Sequence, residues 1–384
     1  MPILHVSPEE LEVRRRAACR SMEQQRLDGL LMFRQESMYY LTGYDTSGYS
    51  MFQGMLLCAD GRLALLTRPV DRIQAEETSV ISDIRVWRDT ETARPGVDLR
   101  DMLSDYRIGG KRLGIEYHAY GLTGQRAKMV DASLDGFCEL ADASDLVRLL
   151  RLVKSEAELA FVRKAGVLCD GLVELSTGLC RPGVSVKAIY GDMMQYLLAN
   201  GGDPPASRWP IGAGISPLFG RNYTGENIIA DTDQVIFEPG AAYRHYHACA
   251  MYNVIIGKPH PRLRDMNRAC CDALDACQEA LRPGRTVGEI FDLHKRVFER
   301  AGYGHASLSA CGYTLGAMYP PSWMDWPMFW TGNPQVIEPG MVMFLHMILF
   351  DREAGASMSV GETAVVTNGG CEGITHVPRH LIAI

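Results

Sequence analysis

No stretch of this 384-residue sequence is apolar for the length a bilayer-spanning helix needs, and no block of like charge is long enough to act as a binding tail. Low-complexity tracts are also absent. The eleven cysteines include no Cys-x-x-Cys pair, so the sequence sign of a zinc ribbon or a dithiol redox motif is missing. A formal net charge of −7 gives no electrostatic support for a nucleic-acid or membrane partner. The opening residues, MPILHVSPEELEVRRRAACR, turn charged too early for the apolar core of a secretory signal. Scattered, odd-numbered thiols in such a chain predict reduced cysteines in a cytoplasmic protein, most of them buried as small residues.

What is present is an ordinary globular composition, 47% hydrophobic, at a length that fits two domains. Two styles of sequence meet near residue 150. Before it, Ser7–Gln25 reads as a helix whose start is Ser7-Pro8-Glu9-Glu10. Gly29–Phe33 is a short apolar run typical of a buried strand. Gly54–Cys58 and Arg62–Thr67 read as a hairpin around Asp60-Gly61, and Arg112–Glu116 as a further strand. This alternation predicts an α/β domain over 1–150. Asp145–Lys164 has helical periodicity and bridges the halves. Beyond it, over 151–384, long helices (Ala157–Leu179, Ser185–Asn200, Arg264–Leu281, Val287–Ala301) alternate with strand segments.

Three of those later segments carry the chemistry: Val235–Gly257 (VIFEPGAAYRHYHACAMYNVIIG), Cys311–Trp323 (CGYTLGAMYPPSW) and Ile337–Gly370 (IEPGMVMFLHMILFDREAGASMSVGETAVVTNGG). They resemble the aminopeptidase P, prolidase and creatinase family of "pita-bread" hydrolases, peptidase family M24. The resemblance covers essentially the whole chain, most strongly after residue 150. It implies an α+β fold: a pita-bread catalytic domain preceded by an α/β, ribonuclease H-like N-terminal domain. It also implies a homodimer.

In the family's metallopeptidases these segments supply two Asp, one His and two Glu around a pair of divalent metals. Matched segment by segment, those positions fall here on Glu238, Cys249, Tyr313, His346 and Glu362. A dimetal centre of Mn or Co type prefers hard carboxylate oxygens, and this set has exchanged most of them. Glu238, Cys249 and His346 together could still hold one zinc ion. The leading expectation is nevertheless no metal and no cofactor. Segments such as YRHYHA and GYTLGAMYPPSW are closer to the non-peptidase branch, typified by creatinase and ectoine hydrolase. That branch implies metal-independent hydrolysis of a non-peptide C–N bond in an amidine, a guanidino acid or an N-acyl amino acid. A Xaa-Pro dipeptidase-like metallohydrolase with a divergent metal site, and a binding module that has lost catalysis, are the alternatives. Creatinase's general-base His has no counterpart in Ser216–Asn227, which offers Arg221 instead.

The catalytic candidates are then His346, Glu362, His247, Glu238 and Tyr313. His346 interrupts an apolar strand, Met341–Phe350, where a lone imidazole is ordinarily a packed core residue; near neutral pH it is also a ready general base. His245 and His247, two apart on a strand, would share a face, and His247 is the site candidate. Glu362 and Glu238 would hold and protonate the nitrogen side, and Tyr313 would steady an oxyanion. For the substrate, Arg221, Tyr223 and Arg208 are binding candidates, with Arg221 the one expected to pair with a carboxylate. Trp323 and Trp326, in the run SWMDWPMFW, are candidate walls for a cationic group. The expected ligand is a small zwitterion or cation.

Overall fold

The computed structural model describes residues 2–221 and 225–384. The chain divides into two compact units, Met1–Arg151 and Leu152–Ile384.

The first unit is built on a six-stranded sheet of β1 (Gly29–Met32), β2 (Gly54–Cys58), β3 (Leu63–Thr67), β4 (Asp83–Val86), β5 (Arg112–Ile115) and β6 (Glu139–Asp142), in the order β4-β3-β2-β1-β5-β6. β1, β2 and β3 pair antiparallel, and β5 and β6 extend β1 in parallel. Alternate side chains enter two separate cores. Leu30 and Met32 pack on α1 (Pro8–Gln24), α2 (Gln35–Thr42) and α6 (Leu146–Leu150), whereas Leu31 joins α4 (Pro95–Asp105) and α5 (Gly124–Leu134); α3 (Arg72–Thr78) follows β3. A sheet covered on both faces needs apolar residues at consecutive positions, which is why GLLMF and GMLLC read as unbroken runs.

The second unit carries α7 (Glu156–Leu179), α8 (Val186–Ala199), α9 (Leu263–Ala280) and α10 (Val287–Arg300). Its strands are β7 (Ile211–Gly212), β8 (Asp233–Phe237), β9 (Gly240–Tyr243), β10 (Tyr246–Ile256), β11 (Gly312–Thr314), β12 (Asp325–Met328), β13 (Val342–Asp351), β14 (Ala356–Thr367), β15 (Gly370–Gly373) and β16 (Ile382–Ala383). The main sheet runs β12-β11-β13-β14-β10-β8-β7, with α7 packed on β10 and α9 on β13 and β14.

The helical periodicity of Asp145–Lys164 is not one helix. α6 stops at Leu150, and α7 restarts behind Ser155, whose hydroxyl accepts from the Glu158 amide while the Glu158 carboxylate accepts from the Ser155 amide. This reciprocal cap fixes a new N-terminus inside a continuous apolar pattern. Nor do His245 and His247 share a strand face: His245, at φ +67°, turns with Arg244 between β9 and β10, and its ring stacks on Tyr319 at 4.1 Å.

Candidate active site

A cavity of about 560 Å³ opens on one face of the second unit's main sheet. β13 contributes His346, Ile348 and Phe350, every second residue, as the pleat requires. Ser359 of β14, opposite Ile348, and Met251 of β10 lie on the same face and also line it. Tyr313 of β11 and Glu238, at the corner between β8 and β9, complete the polar part of the wall.

Glu238 is the sole carboxyl group among the described residues that line this cavity. It is partly buried and lines the cavity. Burial pushes its pKa up to about 7, against the pull of the Arg221 guanidinium and of a hydrogen bond with the Tyr313 phenol. The Trp323 indole donates in turn to the Tyr313 oxygen at 2.9 Å. The phenol therefore accepts from Trp323 and stands beside Glu238, whose pKa it helps to lower. Burial also keeps this phenol protonated, its pKa raised well above the ordinary value. Tyr313 shares the polar part of the cavity wall with Glu238. Gly240 makes the arrangement possible: a Cβ there would sit 3.1 Å from both the Cys249 sulfur and the Trp323 ring.

Glu362 is not in the cavity. The register pairs His346 with Gly361 and Leu345 with Glu362, so Glu362 projects from the opposite face of the sheet. There it meets the helical layer. One carboxylate oxygen accepts from the Val377 amide and from Arg379 at 2.7 Å each, the other from Gln278 of α9 and from Arg379 at 2.8 Å each. Both oxygens are fully used, and the carboxylate has no vacant lone pair with which to hold or protonate a substrate nitrogen. The position beside His346 is a glycine.

His247 is likewise outside the lining. Its Nε2 accepts from the Ala206 amide at 3.0 Å, which consumes the lone pair a general base would use. His346 does line the cavity, but burial lowers its pKa to about 4, so it is a neutral imidazole and a weak base near pH 7. Its Nδ1 is buried with no hydrogen-bond partner among the described residues. Arg221 lines the cavity; Arg208 is exposed and does not. Trp323 is buried behind Tyr313 and Trp326 lies off the lining, while Met324, Met328 and Trp330 of the same run face in. Tyr223 falls outside the described residues. Ile348, Phe350 and Ser359 went unnoticed in the sequence, although the period-two spacing from His346 points to the first two.

Residues 160–368 match the profile of metallopeptidase family M24, and residues 14–153 that of the creatinase/prolidase N-terminal domain. The chain belongs to metallopeptidase family M24. This M24 protein is 23% identical to the Xaa-Pro dipeptidase of Pyrococcus horikoshii over 364 residues, 94% of this chain and 96% of that one. It is 23% identical to the ectoine hydrolase of Halomonas elongata over 372 residues, 92% of each chain. Among solved structures, a Xaa-Pro dipeptidase from Bacillus anthracis superposes with a TM-score of 0.84 at 20% identity, covering 97% of this chain and 100% of that one. The pita-bread fold with its N-terminal domain is therefore present.

The family implies a metal pair, and the side chains of this M24 protein do not fit one. Of the five positions assigned to ligands from the sequence, Glu362 is turned away and ion-paired to Arg379. Cys249 puts a buried soft thiol where a Mn- or Co-type centre prefers a hard carboxylate oxygen. Tyr313 is a protonated phenol that accepts from the Trp323 indole. No cluster of three or more His, Cys, Asp or Glu suited to a metal occurs among the described residues. The single-zinc set of Glu238, Cys249 and His346 is not assembled either.

Proposed function

We propose that this M24 protein is a metal-independent hydrolase of a C–N bond, other than an ordinary peptide bond, in a small nitrogenous metabolite. The observation that carries this reading is Glu238: the lone carboxyl on the cavity wall among the described residues, with the Trp323-held Tyr313 phenol on the same wall. As a carboxylate, Glu238 takes a proton from water while the water oxygen attacks the substrate carbon. The same proton then passes to the nitrogen as the C–N bond breaks, leaving a free amine together with an acid from an amide, an amide from an amidine or a urea from a guanidine. One group serves as base and then acid, which suits a carboxyl whose affinity for the proton lies near neutrality. His346 remains neutral and offers a hydrogen-bonding wall. No membrane-crossing helix occurs among the described residues, and a homodimer in the cytoplasm is part of the same proposal.

The names of several relatives favour a second reading, a Xaa-Pro dipeptidase that acquires metal. Elemental analysis of purified protein, before and after chelation, separates the two. The proposal expects less than roughly a tenth of an equivalent of any transition metal and turnover that chelators leave unchanged. Stoichiometric metal whose removal abolishes turnover would overturn it.

A further inference from the structure

The charges on the cavity wall narrow the substrate. Arg221 is the only Lys or Arg among the described lining residues, and Glu238 the only acid. The other carboxylate expected here, Glu362, faces away and is neutralised by Arg379. A guanidinium or amidinium group would meet the fixed positive charge of Arg221 with a single acid, Glu238, to offset both cations. Arg221 is exposed, and of its donors the structure shows one used, to its neighbour's carbonyl at 3.3 Å. Its guanidinium fork matches a carboxylate.

The rest of the wall is apolar. Phe219, Met251, Met328, Trp330, Ile348 and Phe350 line it, with Trp330 40% and Phe219 47% exposed in this chain. Large apolar side chains left open around a cavity of about 560 Å³ are what an apolar ligand covers on binding. The volume exceeds what a two-carbon acyl group or a small amino acid would fill.

We propose that the cavity takes an amphiphilic monocarboxylate, an N-acyl amino acid with a medium-length aliphatic or aromatic acyl group, whose carboxylate pairs with Arg221 and whose acyl chain lies on the Met251–Trp330–Phe350 wall. This rests on the hydrolase reading above. The amide is placed beside Glu238; water adds to the acyl carbon, the C–N bond breaks, and the proton Glu238 took from water goes to the departing amino nitrogen. The products are a fatty or aryl acid and a free amino acid.

The test uses the full-length protein and tryptophan fluorescence or calorimetry, with N-octanoyl and N-benzoyl amino acids, their carboxamide counterparts, N-acetyl amino acids and guanidinoacetate. Wild type is expected to bind the octanoyl and benzoyl carboxylates at least about tenfold more tightly than the carboxamides or the acetyl compounds. Arg221→Gln should erase the preference for carboxylate over carboxamide, and Trp330→Ala the preference for octanoyl over acetyl; both residues are surface-accessible, so folding is not at stake. Equal binding of carboxylate and carboxamide by wild type, or tighter binding of guanidinoacetate, overturns the proposal. The two readings fail separately. Tight binding of acyl amino acids without cleavage removes the hydrolase reading and leaves the ligand assignment. Cleavage of guanidino compounds removes the ligand assignment and leaves the hydrolase.

Discussion

At the scale of the residue, the chemistry comes down to one carboxyl. Glu238 is one methylene longer than the Asp that the family resemblance puts at its position. Glu238→Gln keeps the shape but cannot exchange a proton. Turnover of any C–N substrate should fall by about 10²-fold or more, with little change in KM. Stability should hold or rise, because a buried acid has become a neutral amide. Steady-state kinetics with thermal unfolding of both proteins checks this; full activity in the Gln variant would show that the proton is handled elsewhere. Tyr313→Phe removes the phenol beside Glu238 and should lower kcat by roughly tenfold while leaving the acid in place. A loss as large as that of Glu238→Gln would instead make the phenol itself a reacting group.

At the scale of the element, strand register decides which residues can act together. Helices and strands were legible because their signals are local. The Ser7 cap, the Asp60-Gly61 hairpin and the strand that became β13 lie within a residue or two of where the sequence places them. Glu238, Tyr313, His346 and Arg221 were legible as cavity residues because each sits in a segment with a recognisable frame. The register of β13 on β14 is not local, and a slip of one residue turns a side chain to the other face. Glu362 was misplaced for that reason, and His247 because nothing in its own segment announces the Ala206 amide. The corrected role of Glu362 is structural. Glu362→Ala should cost about 1–3 kcal/mol, less than the roughly 3–5 kcal/mol of a fully buried broken pair, since Arg379 is 34% exposed and keeps Asp275 at 2.7 Å. Adding Arg379→Ala should recover part of that loss, as a double-mutant cycle in urea would reveal. Because the pair lies behind the sheet, kcat/KM should change by less than about threefold. A catalytic collapse in Glu362→Ala with stability intact would return it to the site.

At the scale of the whole molecule, the buried imidazoles of the second unit make its stability depend on pH. His247, His294 and His346 are each held neutral by burial, which lowers their pKa values to about 4, 3 and 4. Each also buries an Nδ1 with no hydrogen-bond partner among the described residues. In the unfolded chain they would titrate near 6.5. Between about pH 6.5 and 4 the unfolded state therefore binds more protons than the folded one, and stability is lost as pH falls through that window. Glu238 works in the opposite direction. Its raised pKa, about 7 against an ordinary 4.5, means that the folded state holds the extra proton, so this group alone would gain stability on acidification over nearly the same range. Three groups oppose one, and the imidazoles prevail. The unfolding free energy of the second unit should drop by on the order of 2 kcal/mol per pH unit between about pH 6 and 4.5, where the net difference approaches two protons. His294, packed between Phe291 and Phe298 with ring centroids at 5.5 and 4.7 Å, is the cleanest probe because it lies outside the cavity lining. His294→Leu removes one titrating group without touching Glu238, and should flatten the slope by about 1 kcal/mol per pH unit. Urea titrations of both proteins at half-unit intervals from pH 7 to 4.5 measure this directly. A wild-type stability that is flat or rises on acidification would mean that the three imidazoles find partners or water that keep them near their ordinary pKa. A normal wild-type slope that His294→Leu leaves untouched would place the effect on His247 and His346 instead.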